Sequence, residues 1–282
     1  MTRRGGRGAT GAVTFDLDGT LIDSPFDRFV FPWVDKEFVN RGVRGARDLF
    51  RAEQFRRFEQ GRRREGFDWD DIARTVAAEQ GVAWDHDLCA VMAGALAGTL
   101  RAFPPYPDVV ETLEALGAQG FSLFVISNGY ARYQRLTLDL MGLGGYFSAT
   151  LGPDTIGCAK PDPQVFEAPE LHRPVTAHVG DLLTQDIAAA RSAGVRAVLV
   201  IRPDMAAPGF APCARFRPGE RPRVLLENGW LDAQFEQEHR YLGRAVPNAS
   251  LTADHEACPD AVVLNLGELP ALFRGWRNAA AP

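Results

Sequence analysis

The chain has 282 residues, 46% of them hydrophobic and 24% charged, with a formal net charge of −5. That length serves one large domain, or a core with a smaller companion, and the composition excludes disorder, collagen and coiled coil. The acidic balance gives no general pull toward nucleic acid or an anionic membrane, and no stretch has the length of a membrane span. The basic, Gly-rich start lacks the apolar run of a signal peptide, and the four cysteines are scattered without a CxxC. A cytoplasmic protein is expected.

Gly11 to Phe15 reads as a short buried strand that ends in the polar run Asp16-Leu17-Asp18-Gly19-Thr20. Ser24-Pro25-Phe26-Asp27 has the pattern of a helix start, and Pro32 should interrupt that helix and let a second begin. From there to about Phe103 the apolar spacing is helical, most clearly at Leu88, Val91, Met92, Ala95, Leu96 and Leu100. The segment is expected to form an all-helical module.

After Pro104-Pro105-Tyr106-Pro107 the pattern changes. Asp108–Leu116 reads as helix and Phe121–Ile126 as an apolar strand ending in Ser127-Asn128-Gly129. A helix over 131–141, a helix capped by Asp162-Pro163, a strand Val175–Val179 and a helix Ile187–Ala193 follow. Val195–Ile201 and Ala261–Leu264 complete the strands, and Leu269–Phe273 reads as a final helix. Strands alternating with helices imply a parallel, Rossmann-like α/β sheet covered on both faces. Residues 203–258 form an atypical, proline-rich insert with apolar residues at Trp230, Leu231, Phe235 and Leu242. Its expected role is self-association or covering the site entrance.

Polar residues gather where open α/β sheets place ligands, just beyond strand ends. Taken singly, Asp16 with Asp18, Ser127, Lys160, and Asp181 with Asp186 read as turn and cap residues. One of them stands out by composition. Of 31 basic side chains only Lys36 and Lys160 are Lys, so each invites the question of what Arg could not do there.

Taken in order, Asp16-Leu17-Asp18-Gly19-Thr20-Leu21, Ser127, Lys160-Pro161-Asp162-Pro163 and Gly180-Asp181 through Asp186-Ile187 resemble the four motifs of the haloacid dehalogenase (HAD) superfamily of phosphatases. The likeness spans roughly residues 11–202 and 260–273, with a helical cap in the C1 position over 24–103. The core would then be 1–23 with 104–282. The resemblance implies that Asp16 attacks phosphorus and becomes an aspartyl phosphate, while Asp18 protonates the leaving group and activates water. It implies Mg²⁺, held by Asp16, the Asp18 main-chain carbonyl and Asp181, with Asp186 orienting a bound water or a neighbouring ligand. Ser127 and Asn128 would bind the phosphate, and Lys160 would stand between phosphate and carboxylates. Asp18 separates this chain from dehalogenases, which lack the second carboxylate. Lys36, the one cap Lys, is expected on the surface rather than as a Schiff base.

Three departures qualify the likeness. Lys160 and Asp181 are about one helical turn closer than usual, which predicts a truncated core helix. Leu182 replaces a small hydroxyl residue, and the insert has no counterpart in a minimal member. Residues 41–64 carry nine Arg against Asp48, Glu53 and Glu59. Most should lie on a solvated face with pairs such as Glu53–Arg57, leaving one or two to reach an anionic substrate. A zinc site of Cys213, His239, His255 and Cys258 fits no familiar spacing. The expectation is a phosphatase of a small phosphorylated metabolite. A phosphomutase or nucleotidase with the same residues, or a non-catalytic partner-binding protein, are the alternatives.

Overall fold

The computed structural model describes residues 11–99, 103–202, 216–241 and 250–280. At its centre lies a six-stranded sheet in the order β3-β2-β1-β4-β5-β6, and every pairing is parallel. The strands are β1 (Gly11–Phe15), β2 (Phe121–Ile126), β3 (Ala149–Leu151), β4 (Val175–Gly180), β5 (Arg196–Val200) and β6 (Ala261–Val263). Alternate residues sort to opposite faces, as the two-residue period of a strand requires. Val13, Phe15, Leu123, Val125, Val179, Val198 and Val200 enter one buried cluster. Ala12, Phe124 and Ile126 enter another on the opposite face, while Ala197, Leu199 and Val262 join a third. β3 went unread in the sequence because three residues offer no period.

Between β1 and β2 the described residues carry no strand. A π-helical turn over Phe26–Val30 leads into α1 (Phe31–Asn40), followed by α2 (Ala46–Glu59), α3 (Trp69–Glu79) and α4 (Leu88–Thr99). Ser24 Oγ accepts the Asp27 N–H at 3.4 Å, as its cap pattern predicts. Pro32 stands where the first helical turn ends and a second helix begins, as its pattern predicts, with no gap between them. The wide turn, in which the Phe31 N–H bonds back to Phe26 O, leaves Pro32 in the first turn of α1, where no N–H is needed. These helices share their own core, including Val34, Phe38, Phe50, Ile72, Leu88 and Met92, and Tyr130 and Tyr133 complete it.

The Glu53–Arg57 pair is not solvated. Arg57 is 1% exposed and Glu53 4%. Arg57 Nε donates to Glu53 Oε1 at 2.6 Å, and its other nitrogens reach Glu65 O and Thr75 Oγ1, tying α2 to the turn before α3 and to α3 itself. A charge pattern on a helix gives the pairing but not the depth.

The sheet is then covered by α5 (Val109–Ala118), α6 (Ala131–Leu140), the short α7 (Pro153–Ile156) and α8 (Ala188–Ser192). α9 (Arg221–Glu227), α10 (Trp230–Tyr241) and α11 (Leu269–Ala280) complete the fold. The helix expected after Asp162 shrinks to a 3-10 turn over Pro163–Glu167, in keeping with the short interval to Asp181. The insert differs from expectation. Trp230, Leu231 and Phe235 are buried against Leu183, Ile187, Ala190 and Leu199, so the apolar face of α10 packs on the protein's own sheet rather than on a second copy. Leu242 and Cys213 lie outside the described residues. No described helix is long and apolar enough to cross a membrane.

Candidate active site

Three neighbouring strands deliver three of the predicted residues. Asp16 follows β1, Ser127 follows β2 and Asp181 follows β4, with β1 between the other two. The chain runs outward from β1 to β3 and then returns to β4 on the other side, so β1 and β4 flank the point where strand order reverses. Ligand crevices form there in open α/β sheets. Gly19, at φ +78°, turns the chain after Asp18, and a Cβ at Gly19 would lie 2.4 Å from Asp181 Oδ2. Only a glycine lets the two loops approach this closely.

Lys160 is buried between two carboxylates. Its Nζ donates to Asp16 Oδ1 at 2.6 Å and also to Asp186 Oδ1. Asp186 accepts the Leu182 N–H at 3.0 Å, so the position where a hydroxyl residue is usual ties the loop through its backbone instead. His178, in the middle of β4, lies 3.0 Å from Asp186 Oδ1 through Nε2 and 2.9 Å from Thr14 Oγ1 through Nδ1. Burial lowers the His178 pKa, so the ring is neutral near pH 7. A carboxylate can only accept, so Nε2 carries the proton and Nδ1 accepts from Thr14.

The charges are unevenly matched. Burial pushes the Asp16 pKa up to about 7 against the pull of Lys160. Burial, with Asp16 and Asp186 close by, raises Asp181 well above an ordinary carboxyl. Burial also opposes the charge on Asp186, but Lys160 and His178 hold its pKa well below the usual range. Burial likewise works against the Lys160 ammonium, yet Asp16 and Asp186 keep its pKa above that of ordinary lysine. Asp16, Asp181 and Asp186 each offer one oxygen, all within 4.8 Å of one another. Ionised together, the three carboxylates would outweigh the one ammonium between them, and an all-oxygen set suits a hard divalent cation. The donor set therefore fits Mg²⁺.

Asp18 has different surroundings. Its carboxylate is absent from that cluster and accepts from Gln134 Nε2 at 3.0 Å through Oδ2, while Oδ1 is buried without a partner. Burial pushes its pKa up to about 6, with the Gln134 bond pulling the other way. Gln134 Nε2 also donates to Ser127 Oγ at 2.9 Å. Ser127 Oγ accepts the Gly129 N–H as well, so its remaining capacity is its own O–H. The Asn128 side chain is spent otherwise. It donates to Lys160 O at 3.1 Å, accepts the Lys160 N–H at 2.8 Å and contacts Gln185, so it holds the lysine's backbone in place.

Glu238 of α10 reaches this loop from the insert. It accepts the Leu183 N–H at 3.0 Å, and the N–H and hydroxyl of Thr184 at 2.8 and 2.9 Å. The insert thus braces the turn between Asp181 and Asp186. His178, Gln134 and Glu238 were all missed in the sequence. A lone histidine within an apolar strand was a usable signal for the first, whereas nothing local marks the other two.

Asp16, Asp18, Ser127, Lys160 and Asp186 face one cavity of about 200 Å³, roofed by the helical segment. Of the nine Arg in 41–64, Arg51 alone lines it among the described residues, and Lys36 is exposed away from it. Among the described residues no metal-ligating cluster includes His239, His255 or Cys258. His239 and His255 both pack against Phe235.

Residues 10–194 match the family of haloacid dehalogenase-like hydrolases. The phosphoglycolate phosphatase of Aquifex aeolicus is 28% identical over 206 residues, covering 67% of this chain and 84% of that one. A HAD phosphatase from Thermococcus onnurineus superposes with a TM-score of 0.55 at 28% identity, covering 71% of this chain and 90% of that one. The L-2-haloacid dehalogenase of Xanthobacter autotrophicus is 20% identical with a TM-score of 0.53 over 94% of this chain and 98% of its own. That likeness is one of fold. The fold and the site define a hydrolase with a carboxylate closing its first strand, and the chain belongs to the haloacid dehalogenase-like hydrolases. With a second carboxylate, Asp18, facing the same cavity, it stands with the phosphoric monoester hydrolases of that superfamily.

Proposed function

We propose that the protein hydrolyses monophosphate esters of a small metabolite by double displacement at Asp16, with Mg²⁺ as cofactor. In this reading residues 24–103 are the cap, and 1–23 with 104–282 are the core. One observation carries the proposal: two carboxylates at the end of one strand share a cavity but not an environment, Asp16 bonded to Lys160 and Asp18 to Gln134. Carboxylates with divided surroundings take divided roles. The phosphatase relative from Aquifex aeolicus supports the reaction class.

An Asp16 oxygen attacks phosphorus, the bond to the ester oxygen breaks, and that oxygen takes the proton of the Asp18 carboxyl. Asp18, now a carboxylate, takes a proton from water as the water oxygen attacks phosphorus. The bond to Asp16 breaks, releasing inorganic phosphate and returning Asp16 as a carboxylate and Asp18 as the protonated acid. Lys160 neutralises Asp16 and can face the equatorial oxygens, and the Ser127 hydroxyl supplies a further donor. Asp16 and Asp181 would hold the cation, with Asp18 contributing through its main chain and Asp186 beside them. When bound, Mg²⁺ offsets the charge of the carboxylates and of the phosphate.

Phosphate release from a panel of phosphometabolites, with Mg²⁺ and with EDTA, tests the reading. Release that requires Mg²⁺ and vanishes in Asp16→Asn with normal thermal unfolding is expected. Metal-independent release, or an active Asp16→Asn, would overturn it.

A further inference from the structure

The floor of the cavity is charged, but its roof is aromatic. Phe26, Phe31, Phe55, Phe67 and Trp69, all from the helical segment, line the cavity together with Asp16 and Lys160 of the sheet side. Phe31 meets Trp69 edge-on with ring centres 5.0 Å apart at 86°, and Phe26 packs on both at 5.8 and 6.2 Å. These three rings brace one another, while Phe55 and Phe67 both pack on Phe58. The same segment also brings Ser24, Asp27, Arg51 and Gln54 to the cavity. Gln54 stands on the same strip of α2 as Arg51 and Phe55, and its amide N–H is already given to Gly66 O at 2.9 Å.

A compact, fully polar leaving group would leave this wall either bare or covered by poorly bonded water, and both are unfavourable. A flat apolar group would cover it, and its size fits. The cavity measures about 200 Å³ and must hold the phosphoryl group as well, so beside that group there is room for no more than a single ring, on the scale of the ~150 Å³ cavity that binds benzene. We infer that the natural substrate is a phosphomonoester whose leaving group carries an aromatic ring, seated against Phe31, Phe55 and Trp69, with any polar substituent directed toward Arg51. The inference rests on the phosphatase reading and narrows it.

Benzyl phosphate and ethyl phosphate separate the two ideas, because both release a primary alcohol and differ mainly in apolar surface. With Mg²⁺, kcat/KM for benzyl phosphate should exceed that for ethyl phosphate by about tenfold or more, the range a few extra carbons give in an apolar pocket. Calorimetric binding of benzylphosphonate and methylphosphonate, which cannot be hydrolysed, should show the same order. Phe55→Ala should narrow both ratios, and Phe55 is only half-buried, so its loss opens no hole in the core. Hydrolysis of both esters with equal or reversed preference overturns the ring pocket and leaves the phosphatase reading standing. Discrimination between the phosphonates with hydrolysis of neither ester supports the pocket and sinks the phosphatase reading. Equal binding of the two phosphonates overturns the pocket whatever the turnover.

Discussion

Glu238 holds Thr184 at two points, one carboxylate oxygen accepting both its backbone N–H at 2.8 Å and its hydroxyl at 2.9 Å. The other oxygen takes the N–H of Leu183. These groups open the π-helical turn Leu183–Ile187, whose Asp186 lies against Lys160 and His178. A residue of the insert, placed by Trp230, Leu231 and Phe235 on the sheet, therefore sets the loop that carries two acids of the site.

Glu238→Ala should strand two buried N–H groups and a hydroxyl, at a cost of about 1–3 kcal/mol for each group left unsatisfied. A loss of about 3 kcal/mol or more in denaturant unfolding is expected, together with a rise in the Mg²⁺ concentration that half-saturates activity. A variant with wild-type stability and metal response would remove Glu238 from the site's support. Deleting the insert should leave no folded protein, since Leu231 is fully buried and α10 covers one face of β5.

Gln134→Leu should move a pH limb in a defined direction. Asp18 must be protonated to serve the leaving group, so kcat/KM for an alkyl phosphate falls as pH rises through its pKa of about 6. The Gln134 bond holds that pKa down, so removing it favours the protonated form and shifts the falling limb upward. A profile that stays in place or shifts downward contradicts the pairing. With p-nitrophenyl phosphate, whose leaving group needs little help, the limb should be shallow in both proteins.

The rising limb belongs to Asp16, which must be ionised to attack. Its pKa of about 7 describes the metal-free protein, where burial is opposed by Lys160 alone. A divalent cation against the carboxylate stabilises the ionised form and lowers the pKa. Raising Mg²⁺ should therefore carry the rising limb to lower pH, read from kcat/KM profiles at two metal concentrations. A limb fixed in pH would separate Asp16 from the cation.

Lys160→Met should leave Asp16 and Asp186 without their buried counter-charge. Breaking a buried pair from one side costs about 3–5 kcal/mol, measurable by urea unfolding at pH 7.5. Lys160→Arg keeps the charge, but its planar fork cannot reproduce the single Nζ that meets both acids. It should unfold near normally at low activity. Near-normal activity would make Lys160 peripheral.

The parts of this site legible in the sequence are those written locally. Asp16, Asp18, Ser127 and Asp181 sit at strand ends, where an apolar run meets turn residues, so pattern and chemistry coincide. Lys160 is marked by composition, as one of two Lys among 31 basic residues. What remained hidden depends on contacts made across the fold. Thr14 and His178 are neighbours only because β1 pairs with β4, and Gln134 meets Asp18 only because α6 returns over the end of β1. Glu238 finds Thr184 across 54 residues of chain. The apolar face of α10 was legible, but amphipathicity says that a face is covered and not what covers it. Arg57 makes the same point for charge, since its spacing from Glu53 gives the partner and burial decides the role.

The central claim is that Asp16 carries the phosphoryl group. Rapid acid quenching of the wild-type protein during turnover with Mg²⁺, followed by peptide mass spectrometry, tests it directly. A phosphoryl group on the peptide containing Asp16, absent from Asp16→Asn under the same quench, is the predicted result. Turnover with no covalent phosphate at any quench time, or phosphate bound to another residue, would contradict the account.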